Sequence, residues 1–227
     1  VIIAAMFELW IPFPIAAAFF QNLRSALQKH LKSRLSTAGA TYVRFFYAWP
    51  FAIIYVWGLT RFGDLNIPAV NNQFLIYCFL GGLSQIIFTF LLIWLFSFRN
   101  FAVGTTFSKT ETVQVALLGF LILGESLSFG AVAAIAVSLI GVMALSVAET
   151  KITVGNLITN LSEKSTLIGL TCGAFLGASV VFFRGGALSL GGDGFIMQAA
   201  FTLAFSVVMQ TVMMGAYLAV KERDQLK

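Results

Sequence analysis

The chain alternates apolar stretches close to twenty residues long with short polar breaks, and this pattern constrains it more than any other feature. A run of that length as a helix crosses the ~30 Å hydrocarbon layer of a bilayer. Seven runs are readable as helices: 9–31, 41–60, 73–96, 101–123, 127–148, 165–184 and 196–220. The runs are continuous, whereas a transmembrane barrel needs strands of about ten residues alternating apolar and polar. Composition supports lipid as the solvent: 59% of residues are hydrophobic and 10% charged, where a soluble domain has about 25% charged. The expected fold is therefore an all-α integral membrane protein of about seven transmembrane helices, with the lipid bilayer as its first partner.

Local signals refine the spans. Pro12 and Pro14 fall in the first turns of helix 1, where missing N–H groups cost least. Pro50 lies inside the second run and predicts a kink. The opening segment Val1–Phe20, with Ala16–Ala18, has some likeness to a signal peptide, but no basic region precedes it, and it reads as part of a first membrane helix. Arg99 and Asn100 predict a tight turn, and Gly191–Gly194 another. The longest polar break runs from Glu149 to Lys164 and divides the chain into units 1–148 and 165–227, joined by the loop 149–164.

Basic residues between the runs give an orientation, because cytoplasmic loops are enriched in Lys and Arg. One side carries Lys29, Lys32, Arg34, Arg99, Lys151, Lys164, Lys221, Arg223 and Lys227, and the other Arg61 and Arg184. This places the first, third and fifth loops in the cytoplasm and the N-terminus outside. The same placement makes the net charge of +5 a membrane-topology signal, so nucleic acid is not expected as a partner. Cys78 and Cys172 lie in apolar runs without metal-ligand spacing, and His30 is the only histidine, so neither a metal site nor a cofactor is expected. No paired acids or Ser/His arrangement supports a catalytic site, and the chain is not read as an enzyme.

Charged and amide side chains inside the runs are the candidate functional residues, since each charge costs roughly 2.5–3.5 kcal/mol at a helix centre and such residues face the bundle interior. Helix 1 carries Gln21, Arg24 or Ser25, and Gln28 at helical spacing, with Asn22 beside them. Helix 4 carries Ser108-Lys-Thr-Glu-Thr-Val-Gln114, in which Ser108, Glu111 and Gln114 share one face and Lys109 another. Lys109 and Glu111 cannot pair well with each other, and Arg24 is a candidate partner for Glu111. The alternatives for these residues are a substrate or proton site near the midplane, or an ion pair that only sets packing. Arg44 opens helix 2 and either snorkels to the interface or joins the site. Gly169, Gly173 and Gly177 form a series that lets helix backbones approach closely.

From about Phe101 to Ser146 the chain resembles the EamA-type drug/metabolite transporter superfamily. The carrying residues are SKTETVQVALLGFLIL with its central Glu111, the LGESLS at 123–128, and the glycine-bearing helix that ends LIGVMALS. The FFQN of helix 1 and the YVRFF of helix 2 are similar to the family's first two helices, which maps Asn22 and Arg44 onto family positions. Similarity is good over 10–148 and weaker over 165–220. The resemblance implies two five-helix repeats of inverted topology, with helices 6 and 7 opening the second, so that the chain reads as a C-terminally truncated member. The glycines of helix 6 would then await a partner from the missing helices. It also implies cytoplasmic termini, opposite to the count of basic residues. The expected function is transport of a small metabolite or drug-like compound by alternating access, in a cell membrane of the bacterial inner-membrane type. Asn22, Arg24, Gln28, Arg44, Lys109, Glu111 and Gln114 are its candidate site. A seven-helix receptor or sensor without transport is the alternative.

Overall fold

A computed structural model describes residues 12–31, 33–98, 108–126, 128–150, 164–192 and 195–226. Eight α-helices order themselves as α1 (Pro12–Leu31), α2 (Thr37–Phe46), α3 (Trp49–Phe62), α4 (Asn72–Leu95), α5 (Glu111–Leu123), α6 (Phe129–Thr150), α7 (Lys164–Ser189) and α8 (Phe195–Lys221), followed by a 3₁₀ turn, Arg223–Leu226. The chain is all-helical among the described residues, and α2 and α3 together make one apolar span, so the helices form seven rods. Among the described residues, four spans are long and apolar enough to cross a membrane: Thr37–Phe62, α4, α7 and α8. The surface is inverted relative to a soluble protein. Phe51 is 73% exposed and Phe195 79%, while Gln210 is fully buried. Such a surface suits hydrocarbon, where polar groups are driven inward to satisfy one another.

The second run differs from the expected kink. Its break falls at Tyr47–Ala48, and Pro50 sits in the first turn of α3, where its missing donor would have had no helical acceptor. The helix also begins earlier than expected, at Thr37, because the Ser36 side chain caps it by accepting from Gly39 N at 3.0 Å. At the other end of the molecule Asn71 caps α4 in the same way, accepting from Phe74 N at 2.7 Å.

α7 and α4 form the central pair; α5 packs on α7, and α8 packs against α2, α3, α4 and α7. Close approach is set by small residues. A Cβ on Gly81 would lie 2.8 Å from the Phe183 ring, and one on Gly186 3.5 Å from Cys78 Sγ. Gly169, Gly173 and Gly177 are buried. The last two are not left open for a missing helix: a Cβ on Gly173 would lie 2.9 Å from Ser108 O, and one on Gly177 3.3 Å from Val115. The surface expected to await a partner is covered by α5 and the residues just before it.

Arg184 is not a loop residue, since α7 continues to Ser189, five residues past the expected end. The small residues Gly185 and Gly186 let the helix run on against Tyr77 and Cys78. The expected turn at Arg99–Asn100 and most of the loop 149–164 lie outside the described residues.

Candidate functional site

The polar residues gather where the second half of α1 faces the start of α5 and the middle of α7. α1 presents Gln21, Asn22 and Ser25 to Ser108, Lys109 and Glu111 across a cavity of about 180 Å³. Phe88 and Leu92 of α4, Phe96 just after it and Leu176 of α7 complete its wall. Spacing explains the arrangement: 21, 25 and 28 share one face of α1, and 88 and 92 share one face of α4 that 96 continues. Among the expected residues, Asn22, Lys109 and Glu111 therefore meet in one cavity.

Glu111 is the first residue of regular α5, and its first-turn position places the carboxylate at the positive end of the helix dipole. Lys109 lies near enough to act on it by charge, without an ion-pair contact. The expected Arg24–Glu111 pair does not form. Arg24 is exposed, as Gln21 and Asn22 are, and lies within charge range of Arg44 instead.

Gln114 faces α7, donating from Nε2 to Thr110 Oγ1 at 3.0 Å, with Leu170 O at the outer limit of 3.5 Å. Its Oε1 is buried without a partner. Gln28 is 4% exposed, and neither end of its amide has a partner. These orphaned atoms are costly in an apolar interior, at about 1–3 kcal/mol each, so they mark a region where packing has not been optimised for polar satisfaction alone.

Arg44 does not snorkel to the interface. It lies in the last turn of α2 and turns inward, donating from Nη1 to Thr89 Oγ1 at 2.8 Å, with its guanidinium 5.7 Å from the ring centres of Phe45 and Phe88. Thr89 in turn donates to Gln85 O at 2.8 Å. Since Phe88 also lines the cavity, Arg44 stands directly behind its wall.

Several residues escaped the sequence reading. Gln85 and Gln210 meet across α4 and α8, with Gln210 Nε2 donating to Gln85 Oε1 at 2.7 Å. Thr89 and Ser206 are buried beside them in sequence-adjacent turns. Arg184 pairs with Glu125 at 3.0 Å, joining α7 to the turn after α5. An amide within an apolar run is a signal of the same kind as a charge. Applied to GGLSQIIFTF and FSVVMQTVMM, it picks out Gln85 and Gln210.

No group of His, Cys, Asp or Glu among the described residues could hold a metal ion. What the arrangement offers is hydrogen bonds and mixed charge inside an apolar bundle. No curated protein and no solved structure matches the chain. The profile of the EamA-like transporter family matches residues 8–147, which includes α1 to α5 and every polar residue of the 180 Å³ cavity. A multi-pass helical bundle with polar groups turned inward and a match over more than half its length belongs to the EamA-like transporter family.

Proposed function

We propose that the chain carries a small organic solute across the bilayer by alternating access, and that the cavity between α1, α4 and α5 is its binding site. The observation that carries this reading is the convergence of Asn22, Lys109 and Glu111 on one cavity within an apolar bundle. Gln28, Arg24, Arg44 and Gln114 surround it as the groups that tune its polarity. The mixture of Lys, Arg and Glu favours an anionic or zwitterionic solute, with Glu111 as the group that changes its proton or its partner between states. Discontinuous regular helix at a site is a common transporter device, and α5 begins at Glu111.

The family match ends at residue 147, beside the long polar stretch. This supports a first repeat over 1–148 and a second beginning at 165. The membrane is read as a bacterial inner membrane, with the α1–α2 loop in the cytoplasm. Ser33 in that loop is exposed, and both native cysteines are buried. A cysteine at Ser33 is therefore expected to react with a membrane-impermeant thiol reagent only after lysis, and labelling in intact cells reverses the orientation.

The direct test is flux in proteoliposomes. Glu111→Gln keeps the shape and removes the charge, and it is expected to lower uptake at least tenfold with insertion unchanged. Wild-type flux in that variant removes Glu111 from the site.

A further inference from the structure

A second cavity, of about 360 Å³, lies further along the same helix pair. Gln85 borders it on α4, and Phe183, Arg184 and Ala187 on α7. Gln85 shares a helical face with Phe88, Leu92 and Phe96, which border the first cavity. Leu176 of the first cavity shares a face with Phe183 and Ala187 of the second. The two cavities therefore stand end to end along one seam. α8 supplies the remaining wall of the second through Ala199, Thr202, Leu203, Ser206 and Val207. One turn further along α8, Gln210 reaches across to Gln85 and bridges the seam between the two cavities.

The polar groups of this second cavity are mostly unused donors. Gln85 Oε1 is occupied by Gln210, which leaves the hydrogens of Gln85 Nε2 without an acceptor among the described residues. Ser206 is 3% exposed, and its hydroxyl has no oxygen or nitrogen partner, only the neighbouring Cys78 thiol. Arg184 engages Glu125 through Nη2 alone, leaving the other guanidinium N–H groups available. Thr202 spends its proton on Gln198 O, at 2.7 Å. No carboxylate lines the cavity among the described residues. Glu125 is held outside it, against Gly119. The rest of the wall is apolar.

We propose that this second cavity is a binding station for a small organic carboxylate with an apolar body. Its carboxylate is received by Arg184, Gln85 and Ser206, and its body lies against Phe183, Leu203 and Val207. The volume is at the small end of ligand sites, which begin near 300 Å³. A guanidinium and an amide bordering one cavity from two helices match a carboxylate better than any neutral group, because charge-assisted bonds are about twice as strong. Only the placement of this station on a transport path rests on the function proposed above; the binding does not. The Gln85–Gln210 bridge is then the polar threshold a solute crosses between stations.

The test is calorimetry on the full chain in lipid nanodiscs with 3-phenylpropionate, and with 3-phenylpropionamide as the uncharged comparison. Saturable binding of the carboxylate is expected, with the amide at least tenfold weaker. Arg184→Gln is expected to weaken carboxylate binding about tenfold. Glu125→Gln releases Arg184 from its partner and is expected to tighten binding about threefold, where a merely structural pair predicts weakening. If Arg184→Gln does not fold, the Glu125→Gln result and the amide comparison decide. Absence of saturable binding, equal affinity for the amide, weakening by Glu125→Gln, or loss on Glu111→Gln with none on Arg184→Gln each overturns the proposal. Binding without flux in proteoliposomes overturns the transport reading and leaves this site standing. Flux without binding here does the reverse.

Discussion

The two cavities on the α4–α7 seam are built from different materials. The first is walled by ionic groups on helix ends, with Lys109 and Glu111 beside the amides of α1. The second is walled by apolar side chains and reached by a few neutral donors, with Arg184 at the rim and already paired. The backbone around them differs as well. At the first cavity, α5 and the residues just before it lie against glycines of α7 with main chain touching main chain, as at Gly173 and Ser108. At the second, the close approach is a glycine against a ring, Gly81 against Phe183. Rigid backbone contacts fix the ionic site, while movable side chains line the neutral one. The first cavity is the proposed transport site and the second the proposed carboxylate station, and each proposal can be broken separately.

The largest expected effect lies at the backbone contact. Gly173→Leu forces α5 and the residues before it away from α7, because the neighbour is a carbonyl oxygen 2.9 Å from the new Cβ and cannot rotate aside. A loss of about 3 kcal/mol in unfolding free energy is expected, the upper end of overpacking costs. Gly81→Ala meets the Phe183 ring, which has the 360 Å³ cavity to move into. Its cost should be about 1 kcal/mol. Unfolding in mixed detergent micelles measures both, and equal costs would remove the contrast between rigid and movable walls.

A middle-sized effect separates the two polar bridges. Arg44–Thr89 is charge-assisted and backs the first cavity, whereas Gln85–Gln210 is neutral and divides the seam. Double-mutant cycles with Arg44→Gln and Thr89→Val should return a coupling of about 1.5 kcal/mol, the low end for hydrogen bonds to charged groups. The cycle of Gln85→Leu and Gln210→Leu should return about 0.6 kcal/mol, the average for neutral bonds between membrane helices. If the amide pair couples more strongly than the arginine pair, the threshold between the cavities is the rigid element.

The sequence made these two regions unequally legible, for a physical reason. Apolar runs near bilayer length announce helices without any tertiary information, so the seven rods could be read directly, with ends off by a few residues. Charges within runs announce an interior site, because no lipid-facing position tolerates them cheaply. Lys109 and Glu111 stand out that way, and with Asn22 they line one cavity. Partnership was not legible. Arg24 and Glu111 looked complementary, yet Arg24 lies within charge range of Arg44 instead. Arg184 looked like a loop residue because nothing local reports that Gly185 and Gly186 can carry α7 onward against Tyr77. Gln85 and Gln210, 125 positions apart, become a pair only when α4 and α8 are docked. The glycine series gave the need for a close neighbour but not its identity, which is the start of α5.

The smallest expected effect concerns how the ionic end is fastened. Ser36, besides capping α2, donates its hydroxyl to Glu222 Oε2, and its backbone N–H donates to Gln225 Oε1 at 2.8 Å. The tail after α8 is thereby tied to the loop that follows α1. The opposite end has a matching tie, since Asn71 Nδ2 donates to Ser189 O at 2.6 Å and joins the start of α4 to the end of α7. Glu222→Gln tests whether the ionic end needs charge in its fastening as well as in its cavity. A glutamine side-chain oxygen accepts the Ser36 proton as a carboxylate oxygen does, so geometry is retained and only the charge assistance is lost. A change of about 0.5 kcal/mol or less is expected, in line with substitutions that keep a hydrogen bond near water. Glu222→Leu removes the acceptor and should cost about 1 kcal/mol, a typical net hydrogen bond. Hydrogen exchange at the Gly39 amide, which Ser36 caps, reads the same tie locally. Glu222→Gln should leave its protection intact and Glu222→Leu should lower it. If Glu222→Gln costs as much as Glu222→Leu, the tie depends on charge, and the ionic character of this end extends from its cavity to its fastening.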